Sequence, residues 1–235
     1  MNAFRVHGML SNDSVYGVVW SASLRSDPSV KVAVKMVILC NGLHYDRQKK
    51  QMAIGRNRVS CRKRGPKGMR CDKIAPRHWL LQKFSLGSGV LRRRKCMTKS
   101  AFGEEVTRTV QMAKIDMGPK CYGHWIELNG VHKFGFIVTE LCDSLGRGNS
   151  CDKNKVVAMK DGIKKLHAMG YVHGDSKPAN MCLERDAEDG KVTVKFLDCA
   201  RVRQLDVDIG QSAFDKAKDH DLSWFERNVC RTKRR

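Results

Sequence analysis

The sequence predicts an α+β fold, and three observations carry that expectation. Strand-type alternation fills residues 1–40 and returns after residue 120. Two stretches, 102–113 and 156–166, repeat apolar residues at helical spacing. Residues 41–99 interrupt the pattern with an abrupt change of composition. At 235 residues the chain has room for one substantial core or two small lobes.

The first forty residues read as strands. Asp13–Trp20 is followed by the turn-forming Ser26-Asp27-Pro28, and then by the alternating run Val30–Val37. In that run, period-2 geometry places Ala33 and Lys35 on one face and Val32 and Val34 on the other. Residues 41–99 are rich in Arg, Lys and Gly, with Gly65-Pro66 and Gly87-Ser88-Gly89 as breakers, and Arg77–Phe84 is the one helical stretch suggested there. The basic excess is concentrated here. Residues 41–100 hold 18 Lys/Arg against two acids, Asp46 and Asp72, a net +16 out of the formal +21 for the chain. This segment reads first as a solvated, disordered insert and second as a contact for nucleic acid or an acidic partner.

Order resumes near Ser100. Phe102, Val106, Val110 and Ala113 define an amphipathic helix that stops before Gly118-Pro119. Two strands follow, Cys121–Leu128 and His132–Glu140, joined by the hairpin signal Asn129-Gly130. Asp143–Ser150 is loop. Val156, Met159, Ile163 and Leu166 mark a second amphipathic helix closed by Gly170, and the strands Met181–Glu184 and Lys191–Leu197 flank Asp189-Gly190. There is no internal repeat.

Several classes are excluded at this level. The longest apolar candidate, Val32–Cys40, is broken by Lys35, so no membrane span is expected, and the N-terminus lacks a secretory layout. Ten cysteines without a CxxC pair read as reduced thiols of an intracellular protein. Cys61, Cys71 and Cys96, with His78, lack the close pairing of a zinc site. The basic runs Arg62-Lys63-Arg64, Arg92–Lys95 and Arg231–Arg235 fit nuclear-import signals, so the expected compartment is cytoplasm or nucleus.

The chemistry is concentrated in Tyr171–Leu183. Asp175, Lys177 and Asn180 stand at n, n+2 and n+5, just after a helix and just before a strand. Phosphoryl transfer needs such a set: a carboxylate to orient an attacking hydroxyl, a cation for the migrating charge, and a neutral oxygen ligand for Mg²⁺. Asp198, at the end of the next strand, offers a second hard oxygen.

These residues resemble the protein-kinase signature set. His173-Gly174-Asp175-Ser176-Lys177-Pro178-Ala179-Asn180 resembles the catalytic loop, with glycine at 174 where arginine is usual. Val32-Ala33-Val34-Lys35 resembles the ATP-anchoring strand, Asp198-Cys199-Ala200 the metal-binding triplet, and Asn12–Val19 the glycine-rich loop with only its third glycine, Gly17. The resemblance implies a two-lobed protein kinase-like fold: a β-rich N-lobe over 1–142 carrying the 41–99 insert, a reduced, mainly helical C-lobe over 143–225, and a basic tail, 226–235. Asp221-Leu222-Ser223-Trp224-Phe225 resembles the start of the helix anchoring the C-lobe core, and reduction of this kind resembles kinases of large DNA viruses, which would act in a host cell.

The same resemblance implies the cofactors ATP and Mg²⁺, a protein substrate, and transfer to Ser or Thr hydroxyls, the last on the strength of Lys177. Asp175 and Lys177 become the catalytic pair, and Asn180 and Asp198 the metal ligands. ATP would meet Asn12, Ser14 and Gly17 in the loop, Val19 above the base, Ala33 and Lys35 on the strand, Thr139, Glu140 and Cys142 at the hinge, and Cys182 below the base. Lys35 needs a carboxylate partner. On a helical wheel Glu105 flanks the apolar stripe of its helix while Glu104 faces solvent, so Glu105 is the choice. Three rival readings stay open: a small-molecule kinase of the aminoglycoside or choline type, against which Lys177 counts, a pseudokinase, and a nucleic-acid-binding protein on a kinase scaffold.

Overall fold

The computed structural model describes residues 3–11, 17–39, 45–46, 51–52, 61–63, 69–71, 95–129, 132–142, 152–185 and 192–229. The expected helix at 77–84, the 143–150 loop, Asn12, Ser14 and the tail at 230–235 lie outside the described residues. The chain is mixed α+β and divides into two compact units, one comprising 1–103 with 122–140 and the other 104–121 with 141–235. Among the described residues no helix is long and apolar enough to cross a membrane.

The first unit is built on a five-stranded sheet. Its strands are β1 (Phe4–Ser11), β2 (Gly17–Leu24), β3 (Lys31–Leu39), β9 (Cys121–Asn129) and β10 (His132–Glu140), in the order β1-β2-β3-β10-β9. Between β3 and residue 97 run short strands: β4 (Tyr45–Asp46) pairs with β5 (Gln51–Met52), and β6 (Cys61–Lys63), β7 (Met69–Cys71) and β8 (Lys95–Cys96) form a three-stranded sheet.

Cross-strand register explains the core. Val18 lies opposite Met36 and Met36 opposite Phe136, while Trp20, Val34 and Val138 form the next row, and all six are buried. Aligned apolar residues on one pleated face remove a continuous surface from water. Phe136 also stacks on Trp125 of β9, centroids 4.9 Å apart. The strand expected at 13–20 is described as β2 from Gly17 and runs on to Leu24, while residues 13–16 lie outside the described residues. Gly17 itself faces the Met36 carbonyl so closely that a Cβ would lie 1.9 Å from the oxygen, which only glycine avoids.

Helix α1 (Lys99–Lys114) begins in the first unit, where the ring of Phe102 packs on Gly135, and continues into the second. The second unit contains α2 (Lys153–Ala168), α3 (Gln211–Val229), the strand pair β12 (Met181–Arg185) with β13 (Val192–Phe196), and the strand pair β11 (Tyr171–Val172) with β14 (Arg203–Gln204). Asp152 caps α2 by accepting the Asn154 amide at 2.9 Å, and Gly170, at φ +80°, terminates it. Met159, Ile163 and Leu166 of α2 are fully buried with Met112, Met117, Met181, Phe196 and Phe225. Burying each such side chain contributes about 1.5–3 kcal/mol. Helix α3 starts ten residues earlier than expected, so Asp221 sits in its middle and not at its start. Its burial there sets up the site.

Candidate functional site

In the second unit, the segment from β11 to β12 is short of regular hydrogen bonds, and side chains supply what the backbone lacks. Asp221 of α3 is fully buried, and its carboxylate accepts the His173 amide at 2.7 Å, the Gly174 amide at 2.8 Å and His167 Nε2 at 3.2 Å. Its main-chain carbonyl accepts the Ser176 hydroxyl at 2.7 Å. Burial alone would raise the Asp221 carboxyl, but the bonds from His167 and the two amides outweigh it and hold the group below the ordinary carboxylate value. The ionised side chain thus fixes two consecutive loop positions, His173 and Gly174, and the main-chain carbonyl of the same residue fixes Ser176. Gly174 stands at φ +74°, with the Arg201 carbonyl 2.9 Å from where a Cβ would be, so the glycine that replaces arginine in the motif is required by backbone geometry.

His173 is a brace. Its ring is buried, Nε2 lies 3.0 Å from the Leu197 carbonyl, and Nδ1 accepts the Asp175 amide at 3.3 Å, which defines the neutral Nε2–H tautomer. Burial pushes its pKa down, against the opposing pull of Asp221, the Leu197 carbonyl, Asp198 and Asp175. His173 therefore lies within electrostatic reach of both Asp175 and Asp198.

Asp175 is the point of convergence. Lys177 Nζ donates to its Oδ2 at 2.9 Å, Asn180 Nδ2 donates to the same oxygen at 3.0 Å and to the Asp175 carbonyl at 2.9 Å, and Trp224 Nε1 donates to Oδ1 at 3.1 Å. Both acceptors facing the Asn180 amide are oxygens, which orients its NH₂ toward Asp175 and leaves its own carbonyl oxygen available. The Leu197 amide donates to the Asn180 main-chain carbonyl at 2.8 Å, bringing Asn180 beside the strand end that carries Asp198. Asp198 is exposed and stands in the left-handed region, φ 57° and ψ 58°, an uncommon conformation for a non-glycine residue and one that concentrates at functional sites. An amide oxygen and an exposed carboxylate on adjacent segments fit a small hard cation.

A second grouping in this unit joins Cys142 and Cys182 with Glu184, their ligand atoms all within 4.8 Å of one another. On α1, Glu105 is 1% exposed, whereas Glu104 faces solvent and pairs with Arg108 at 3.5 Å. In the first unit, register puts Val19 opposite Lys35, and Ala33 opposite Thr139, so these four share one sheet face, all half-buried. Glu140 lies opposite Val32, on the other face, and Gly17 opposite Val37. The candidate residues therefore fall into a Lys35 face in the first unit, and, in the second, an Asp175–Asn180–Asp198 group, a Cys142–Cys182 group and Glu105 on α1. Sequence reasoning missed Trp224 and the loop-holding role of Asp221. Both act on residues 47–49 positions away, and no local pattern announces such a pairing.

No protein-family model matches the chain. Among curated proteins, a stretch of 98 residues is 33% identical to mitogen-activated protein kinase 13 of Bos taurus, covering 40% of this chain and 25% of that protein. The match thus spans about a quarter of that relative's length. The likeness is partial. It points to a protein kinase-like relationship and, in general terms, to phosphoryl transfer.

Proposed function

We propose that this chain transfers the γ-phosphoryl group of ATP to a Ser or Thr hydroxyl of a protein substrate, within a two-lobed protein kinase-like fold. The observation that carries the reading is the convergence of Lys177, Asn180 and Trp224 on the Asp175 carboxylate, next to the segment that presents Asp198. An acceptor-only carboxylate fixed by three donors is pre-aimed, so little reorganisation is needed when a hydroxyl arrives.

In this reading Asp175 orients the incoming hydroxyl and takes its proton as the oxygen bonds to the γ-phosphorus and the bond to the ADP oxygen breaks. Lys177, half-exposed and 2.9 Å from Asp175, lies where it can also reach the charge on the migrating group. Asn180 and Asp198 would hold Mg²⁺, which when bound supplies neutralisation of phosphate charge. On the strand face of the first unit, Lys35 would hold the α- and β-phosphates with Val19, Ala33 and Thr139 beside it, and Glu105 would pair with Lys35. Asn12, Ser14 and Gly17 would cover the phosphates, and Glu140, Cys142 and Cys182 would line the base.

The test is transfer from radiolabelled ATP by the full chain to a basic protein, an acidic protein, an aminoglycoside and no substrate, with Lys35→Met as control. Label on protein Ser/Thr that disappears in the variant supports the reading. Label on the aminoglycoside alone transfers it to the small-molecule class, and no label with any acceptor favours a pseudokinase.

A further inference from the structure

The cluster of Cys142, Cys182 and Glu184 has a chemistry of its own. Cys182 and Glu184 are two apart on β12 and so point to the same side of the hairpin, while Cys142 arrives from the segment after β10. Cys182 is fully buried, Cys142 and Glu184 are half-buried, and the Cys142 sulfur lies 3.6 Å from Glu184 Oε1. All three ligand atoms fall within 4.8 Å of one another. A tetrahedral ion with bonds of about 2.0–2.3 Å holds its ligand atoms about 3.5–3.8 Å apart. Closing the cluster onto an ion therefore takes side-chain adjustment only.

From this geometry we propose that Cys142, Cys182 and Glu184 form a binding site for a borderline-soft divalent cation of the Zn²⁺ class, with the fourth position open to water or a ligand. Two thiolates and one carboxylate exceed the charge of the ion by one. The Lys195 ammonium, 3.9 Å from Glu184 Oε2, brings a positive charge to that side of the cluster and shares it with Asp116, which holds it in place. Lys195 lies opposite Cys182 in the β12–β13 register, so that charge is fixed by the hairpin itself. Thiolate ligands select against Mg²⁺, so this site and the Asn180–Asp198 pair differ in the ions they take.

The hydrogen bond with Cys142, followed by burial, pushes the Cys182 thiol well above its ordinary value, with Glu184 adding to the effect and Lys195 opposing it. A thiol ligates a metal as its thiolate, so binding releases protons.

The experiment titrates the reduced full chain with Co²⁺ and then Zn²⁺ without nucleotide, following the thiolate-to-cobalt charge-transfer absorption and its loss on displacement. Cys142 and Cys182 also stand in the proposed base lining, which is why nucleotide is left out; a failed titration does not bear on Asp175, and a failed transfer assay does not bear on the thiol cluster. The expected result is a Zn²⁺-displaceable cobalt site of one equivalent that excess Mg²⁺ does not displace. Cys182→Ser should weaken it at least 100-fold and Glu184→Gln about 10-fold, while Cys61→Ser/Cys71→Ser, which removes two thiols outside the cluster, should leave it intact. Circular dichroism on Glu184→Gln, a half-exposed position, guards against loss of folding. Binding unchanged in both Cys182→Ser and Glu184→Gln, or lost only in Cys61→Ser/Cys71→Ser, overturns the proposal.

Discussion

The strand face that carries Lys35 and the loop that carries Asp175 are held in place by different forces. On the strand face, position follows from register: Val19, Lys35, Ala33 and Thr139 align because β2, β3 and β10 pair residue by residue, and the opposite face is buried apolar surface. Removing any one of these four side chains leaves the ladder intact. In the loop, position follows from a few polar side chains that reach across the second unit. Asp221 ties down His173, Gly174 and Ser176, and Trp224 reaches Asp175 from the same helix. The first arrangement is redundant. The second depends on single groups, and its functional side chains are only as well placed as a buried carboxylate keeps them.

Stability measurements break or sharpen this contrast. Asp221→Ala strands the His173 and Gly174 amides and the His167 ring, and should cost about 3–5 kcal/mol in urea unfolding. Lys35→Met on the strand face should stay within about 1 kcal/mol of the parent. Equal costs for the two would erase the distinction. Gly174→Ala forces a Cβ into a left-handed backbone beside the Arg201 carbonyl and should cost about 1–3 kcal/mol.

The pH dependence follows from His173. Its pKa is lowered in the folded protein, so the unfolded chain binds more protons as pH drops below the ordinary value of 6.5. Stability is therefore fully present above 6.5 and is lost below it, at no more than about 1.4 kcal/mol per pH unit. His173→Gln should flatten the slope between pH 6.5 and 5.5, and a slope that persists in that variant would assign it to another group.

Trp224→Phe is the subtlest test. It keeps a ring on α3 and deletes only the N–H that reaches Asp175 Oδ1. We expect folding stability nearly unchanged, KM for ATP unchanged, and turnover lower by about 3- to 10-fold, the worth of one ordinary hydrogen bond. A change confined to KM for ATP would contradict a role at Asp175.

Much of this molecule was legible in its residues, and the limits are physical. Alternation in 30–37 placed Lys35 and Ala33 on one face, and the structure has them there, because period 2 is a property of the strand alone. The helical wheel separated Glu105 from Glu104, and burial separates them the same way. Strand β2 runs four residues past the expected Trp20, to Leu24, because no breaker stands before Ser26-Asp27-Pro28. The length of α3 was missed because its first ten residues, Gln211–His220, are mostly polar and only Phe214 is buried. Asp221 and Trp224 were recognised as part of a motif, but their grip on the loop was not, since a contact across about fifty residues leaves no trace in local spacing. The metal-type cluster was invisible for the same reason: Cys142 and Cys182 are forty positions apart and resemble no ligand spacing.

The most direct test of the central claim compares Asp175→Ala with the parent chain in two readings, nucleotide affinity and single-turnover transfer from ATP to protein. With Asp175 as the group that orients the attacking hydroxyl, affinity should stay within about threefold while transfer falls by about 10²–10⁴. Transfer at the parental rate in a folded Asp175→Ala protein would contradict the account.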